Sequence, residues 1–479
     1  MTAEDGRQHY NVTLAILATV GTAFALQQTL VVPALPALQR ELHTTTAWAT
    51  WVLTVFLLVA SVATPLLGKL GDEHGKERML LISLVAFLMG CVGCAVAWSI
   101  ASLIAFRALA GVGAAVFPLS FAIIRDEFPR EKVGVAIGLV SAVFGVGGGF
   151  GIVVSGLIID NLSWRWLFII GSIPIAACIP LVHRFVPESP IKTASRLDWI
   201  GAILLSVGLV CLLLALTEGE IWGWTSSRVV GLFAAAAVAL VAWVIAELLV
   251  PEPLVDMHVF AKRPVLLTNI TALITGFAMF GTFVLIPNFV ETPHGLSASA
   301  ARLVDYGFDA SATKAGLYLL PSSVALLFAG PFAGLVGRRI GFKWPLSAGM
   351  LLAGVSAASF ALWHDHPWQV LAAMPSLGIG VGFAFAAMAT LITASVRPTE
   401  TGVATGMNTV MRTVGGVIGG QIGAAILSAH WVGSTEVPSV RGYEIAFAIA
   451  AAAALVGAVV ALFVTPSRAR LALAAETSA

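Results

Sequence analysis

The chain has 479 residues, 58% of them hydrophobic and only 11% charged, with 26 Lys and Arg against 25 Asp and Glu. A soluble domain carries about a quarter charged residues, so the composition excludes a disordered chain, a nucleic-acid binder and an ordinary soluble enzyme. Apolar runs of about 20 residues recur from end to end, each long enough to cross about 30 Å of hydrocarbon as a helix, and they predict an all-α, polytopic membrane protein.

Fourteen spans are predicted from these runs. The first six lie at roughly 12–35, 46–68, 79–98, 100–124, 133–158 and 166–185, and two more at roughly 198–216 and 228–249. The last six lie at roughly 264–290, 315–336, 344–363, 368–395, 402–428 and 443–464. The first run is too long for a signal peptide and passes into Leu35-Pro36 without a small-residue cleavage site, so it is expected to stay as a span. The fifth is Gly-rich, and the tenth is interrupted by Pro331. The longest loop, Glu291 to Lys314, joins spans nine and ten; it reads as a solvated loop, with a mobile flap that docks a partner or lipid as the alternative. Cys91 and Cys94 lie three apart on one face, and Cys178 and Cys211 stand alone. Small packing residues are the expectation for all four, a metal or redox pair the alternative.

Most cations fall in loops on one side of this layout, from Arg7 and Lys69 to Arg397 and Arg470, whereas Arg40, Arg165, Arg228, Arg302, Lys314 and Arg441 fall on the other. Such a bias marks the richer side as cytoplasmic. It places the chain in the cytoplasmic (inner) cell membrane, multi-pass, with both termini inside. Arg107 and Arg412 remain, both within spans, where a charge normally faces a bundle interior or a water-filled cavity.

The segment after span two carries Gly68, Gly71, Asp72, Gly75 and Arg78. Gly68 and Gly71 allow close packing, and Gly75 can take a positive φ in a tight turn. Asp72 sits where a helix N-terminus would stabilise its charge. A weaker copy, with Gly334, Gly337, Arg338, Arg339, Gly341 and Lys343, follows span ten and makes an internal repeat. The first copy resembles the signature between spans two and three of the major facilitator superfamily. Arg107 to Ala115 is similar to that superfamily's buried-Arg motif, with Ala110 for a usual Gln. Gly138, Gly147, Gly151 and Gly156 stand at the spacing of its antiporter motif, with Ile152 for its Pro and Ser155 for one Gly. Trp164 to Phe168, Asn408 to Gly416 and the extra central pair of spans resemble the fourteen-span drug:proton antiporter family.

The resemblance implies a six-helix N-terminal half (1–185), a linker with two extra helices (186–263), a six-helix C-terminal half (264–464) and a short cytoplasmic tail (465–479). The halves would rock about a central cavity. It also implies that the Gly68–Arg78 segment latches one state, with Asp72 pairing a cation at the inner end of span four, for which Arg125 is the candidate. In the resembling family the position of Gln27 is usually an Asp that takes part in proton coupling. Glutamine cannot titrate, so the resemblance supplies no coupling carboxylate there, and either another carboxylate couples protons or transport runs down a gradient without them. Glu291 is the first substitute, just past Pro287, which would bend its helix toward a cavity; Asp160 is the second.

The candidate cavity residues are Gln27, Gln28, Arg107, Asn408, Arg412, Phe24, Phe280 and Phe283, with Gln421, Phe383 and Phe385 beside them. Two buried cations and no buried anion favour neutral or anionic amphiphiles. The expected partners are a small-molecule substrate, the lipid bilayer and protons, with no cofactor, metal or nucleic acid. The function expected is export of hydrophobic or amphiphilic small molecules by alternating access. An importer or uniporter on the same fold, and a non-transporting membrane sensor, are the alternatives. An enzyme is disfavoured, since no His/carboxylate or Ser/His cluster lies near a span's centre.

Overall fold

Hydrocarbon offers the backbone no water, so a spanning chain must satisfy its peptide groups within one segment, as a helix does. The computed structural model describes residues 10–31, 34–189, 198–292, 306–432 and 437–465. Among them, fourteen helices of 20 residues or more follow one another. They are α1 (Tyr10–Thr29), α2 (Thr46–His74), α3 (Lys76–Ala95), α4 (Ile100–Glu127), α5 (Arg130–Asn161), α6 (Arg165–Phe185) and α7 (Trp199–Trp222). The chain continues through α8 (Ser227–Leu249), α9 (Arg263–Glu291), α10 (Ala312–Ile340), α11 (Lys343–Leu362), α12 (Pro367–Ser395), α13 (Thr401–Ala429) and α14 (Val440–Leu462). Twelve candidate spans are long and apolar enough to cross a membrane among the described residues. α5 and α9, each of which includes side chains outside the described residues, are also of spanning length, at 32 and 29 residues.

The helix ends correct several expectations. The first span is shorter than expected: α1 stops at Thr29, and Pro36 opens a separate short helix, Leu35–Glu41, where its missing N–H costs nothing. The expected loop after span two is mostly helix. α2 runs through Gly68, Gly71 and Asp72 to His74, and Gly75 at φ 121° alone separates it from α3. The copy repeats this geometry, with α10 ending at Ile340 and Gly341 at φ 90°. Both angles suit a residue without Cβ.

Pro331 does not interrupt the tenth helix, which is continuous through Pro321 and Pro331; in a bundle, neighbouring groups re-satisfy the carbonyls that proline leaves. α4 instead tightens into a 3-10 turn over Val112–Ala115. Pro118 follows at once, and it has no N–H to give to the Ala114 carbonyl.

Close approach at glycines decides which helices meet. A Cβ on Gly138 of α5 would overlap the Gly330 carbonyl of α10, and one on Gly334 would stand 2.6 Å from the Gly134 oxygen. The same seam reaches Gly156, packed on Thr313. A second seam joins α2 to α13, where a Cβ on Gly68 would lie 2.5 Å from the Gly402 oxygen. The pair α7–α8 covers this second seam: Leu205, Leu209, Leu213 and Trp243 share one apolar cluster with Leu58 of α2 and Val403, Met407 and Val410 of α13. The other faces of the pair, at Val238, Val241 and Leu249, are exposed and apolar.

Candidate functional site

Between α1, α2 and α4 on one side and α13 on the other lies a narrow central cavity. One lobe, about 40 Å³, is lined by Phe24, Gln28, Phe56, Ser61, Phe117 and Arg412, among others. A smaller lobe brings Phe121, Ser141, Phe385, Thr405 and Asn408 to the same Arg412. The polar wall is one face of α13. Thr405, Thr409 and Thr413 recur every fourth residue, and each donates its hydroxyl to the carbonyl four residues back. A hydroxyl that donates within its helix keeps its lone pairs for a ligand. Arg412 supplies the charge, its guanidinium lying 4.2 Å from the Phe385 ring centroid. That cation–π contact fixes the guanidinium plane. Among the described residues, no carboxylate lines either lobe.

The structure separates the expected cavity residues. Gln28 and Phe24 line the cavity, and Phe24 also stands within 5.1–5.9 Å of the Phe56, Phe87 and Phe117 rings. Asn408 lines it too and donates to Asn269 Oδ1 on α9 at 2.9 Å. Gln27 does not. It is fully buried against α6, where a Cβ on Gly171 would overlap its Oε1, and neither amide atom has a hydrogen-bond partner among the described residues. Successive helix residues are about 100° apart, so Gln27 and Gln28 cannot share a face.

Arg107 is also displaced from the cavity. Its Nε donates to the Val52 carbonyl at 3.2 Å, its guanidinium lies 4.2 Å from the Phe56 centroid, and its terminal nitrogens have no hydrogen-bond partner among the described residues. Phe56 therefore stands between Arg107 and the cavity. Phe283 packs into the core of α9–α14, and Phe383 pairs with the exposed Phe332. Glu291 is exposed at the end of α9, and neither it nor Gln421 lines the cavity. The side chains of Phe280 and Asp160 lie outside the described residues. Phe56, Phe117, Thr405 and Thr409 were not expected at the site; the polar stripe 405–408–409–412–413 on α13 is the sequence signal that points to the last two.

At the α2–α3 end the cavity is shut. Asp72 Oδ2 accepts from Gly402 N at 2.9 Å and Val403 N at 3.3 Å, the unpaired first amides of α13. A carboxylate is stabilised there by those N–H groups and the helix dipole. The expected Asp72–Arg125 pair is not formed: Asp72 is met by Lys76 at 3.7 Å, and Lys76 also bonds Asp126. Arg125 crosses to the other half by itself, donating to the carbonyls of Val396 at 2.7 Å and Arg397 at 3.1 Å and to the Thr401 hydroxyl. Gly71 packs on Leu119, Gly75 lies under Glu188, and Arg78 is exposed. Beside these contacts Glu400 bonds Arg397 and raises the pKa of its guanidinium.

The antiporter-motif glycines all serve close contact. Gly147 and Gly151 meet Ala25 and Thr29 of α1, while Gly138 and Gly156 meet α10. Thr29 donates to the Gly147 carbonyl at 2.8 Å, and Ser155, in place of a motif Gly, donates to the Leu30 carbonyl.

A family model described as Major Facilitator Superfamily matches residues 17–307 and 297–478. The chain is 32% identical over 394 residues to Multidrug resistance protein 3 of Bacillus subtilis, covering 79% of this chain and 72% of that one. It is 27% identical over 396 residues to the Tetracenomycin C resistance and export protein of Streptomyces glaucescens, covering 82% and 71%. The solved structure of the human organic anion transporter MFSD10 superposes with a TM-score of 0.66 at 13% identity, over 94% of this chain and 99% of that chain. That last likeness speaks for the fold alone.

Proposed function

Because the chain belongs to the major facilitator superfamily, a family of membrane transporters, we propose that it exports hydrophobic or amphiphilic small molecules by alternating access, moving neutral and anionic compounds in preference to lipophilic cations. The carrying observation is the central cavity walled by Phe24, Phe56, Phe117 and Phe385, with Arg412 as its charge and no lining carboxylate among the described residues. Aromatic walls suit drug-sized apolar ligands, and a desolvated guanidinium orients a carboxylate or carbonyl. The names of the multidrug and tetracenomycin relatives support an export reading.

In this reading residues 1–185 and 264–464 are the two halves, joined by α7 and α8. The α2–α3 end is cytoplasmic by its cation excess, as are both termini, and the latch holds that end closed. Proton coupling does not run through Gln27; Glu291 and Asp160 are the carboxylates assigned to it. The test is transport in proteoliposomes with and without an imposed pH gradient, across cationic, neutral and anionic amphiphiles. Gradient-driven uptake of anionic and neutral compounds is expected, reduced in Glu291→Gln and Asp160→Asn. Transport indifferent to the gradient would leave an uncoupled carrier instead, and a strong preference for a cation such as ethidium would overturn the substrate assignment.

A further inference from the structure

A second cavity, about 240 Å³, lies beside the latch rather than behind it. Its walls come from the α8–α9 connection, the first turns of α9 and α13, and Lys69 of α2. Glu252 and Arg397 at its rim are exposed, so it meets solvent while the latch is closed.

The rim charges are engaged. Lys69 donates to the Pro253 carbonyl at 3.2 Å and lies 3.9 Å from Glu73. Arg397 is held by Glu400 and stands 4.0 Å from Asp256, which itself caps the helix Met257–Phe260. Val255, Phe260, Val265 and Val403 make the walls apolar. Asn269, 2% exposed, lines the cavity, and its buried Nδ2 has no hydrogen-bond partner among the described residues. A buried N–H of this kind is unfavourable until something accepts from it. The Oδ1 of the same residue accepts from Asn408, which lines the central cavity. The Asn269–Asn408 pair is therefore the partition between the two cavities.

We propose that this vestibule is a capture site, which takes a neutral apolar molecule carrying an acceptor oxygen from the cytoplasmic side, and that the molecule reaches the central cavity past the Asn269–Asn408 pair. The inference rests on the export reading and adds a site and a ligand class to it. A net-neutral ligand follows from the engaged rim charges, and the acceptor oxygen from the buried Asn269 donor.

Benzophenone, a small neutral diaryl ketone that inserts into neighbouring C–H bonds under near-ultraviolet light, is the probe. Full-length protein in nanodiscs is photolabelled and its adducts are mapped by mass spectrometry. Saturable labelling is expected within residues 251–269 and 399–404, about tenfold weaker in Asn269→Leu, the loss of roughly one buried hydrogen bond. Val265→Trp, which fills the vestibule and leaves the asparagine pair intact, should abolish that labelling in a protein of parental thermal stability. In a parallel arm Nile red, a neutral dye with a ring carbonyl, is followed out of loaded cells, and Val265→Trp should raise its KM with the maximal rate kept. Labelling absent there, or unchanged in both variants, overturns the vestibule while parental Nile red export leaves the export reading standing. If the parent moves no Nile red, both fall together.

Discussion

Adjacent glutamines on one helix separate the jobs that a polar residue can do inside a membrane protein. Gln28 faces the cavity, whereas Gln27 is buried against Gly171 with its amide unsatisfied. An unsatisfied buried amide destabilises by about 1–3 kcal/mol. Gln27→Met is thus expected to keep transport at the parental rate and leave the melting temperature equal or higher, while Gln28→Leu lowers transport. The two arginines within the spans, fully buried Arg107 and half-buried Arg412, divide in the same way. Arg107→Met should fold with undiminished thermal stability, because an apolar side chain of similar length in place of a buried unpaired charge is commonly neutral or stabilising. A melting point several degrees lower would mean that its terminal nitrogens do have partners. Arg412→Ala is expected to slow anionic substrates by more than tenfold, the loss of a charge-assisted hydrogen bond. Arg412→Lys should recover little, since an ammonium lacks the planar stack on Phe385. Much of this site is legible in the sequence as a set of residues: Phe24, Gln28, Asn408 and Arg412 stand out there and line the cavity. Facing is not legible, because a shift of one residue turns a side chain by about 100°, and the positions of Gln27 and Arg107 depend on which neighbour, α6 or Phe56, stands in front of them.

At the scale of elements, glycine spacing announces that helices meet closely but not which ones. The motif in α5 meets two partners, with Gly147 and Gly151 against α1 and Gly138 and Gly156 against α10. The segment Gly68–His74 reads as a loop because it is charged, yet it is helix. Its charges lie at the bundle's end, where Asp72 takes the α13 amides and Lys76 bonds Asp126. Asp72→Asn keeps an acceptor oxygen but removes the charge that the α13 N-terminus favours. It should raise the reactivity of a cysteine placed at Thr405 toward a water-soluble maleimide added from the side of the α2–α3 turn, with membrane insertion unchanged. Gly402→Val is expected to act in the same direction by a different route, since a Cβ there would overlap the Gly68 carbonyl. Parental reactivity in both variants would remove the latch from the account.

For the whole molecule, composition and the recurrence of apolar runs are enough for the fold class and the order of helices, because hydrocarbon permits little else. The conformational state is not legible, since it depends on contacts between residues hundreds of positions apart, such as Asp72 with Gly402. That contact has no counterpart at the second of the two related turns. At the position there that corresponds to Asp72, the chain has Arg338, which is exposed. Its seam partner is the beginning of α5, whose positive pole repels a cation. One edge of the closed end is therefore fastened by charge, while the other, where α5 and α10 touch along their length from Gly134 to Gly156, carries no such fastening from Arg338. Such a body is expected to swing as a door does, with its axle along the glycine edge and two bolts on the far side, Asp72 on the α13 amides and Arg125 on the Val396 and Arg397 carbonyls. The dwell time of the closed form is then expected to follow those two bolts. Every 1.4 kcal/mol taken from them shortens the dwell about tenfold, so cycling is expected to be tunable from slow to fast at Asp72 without any change to the central cavity.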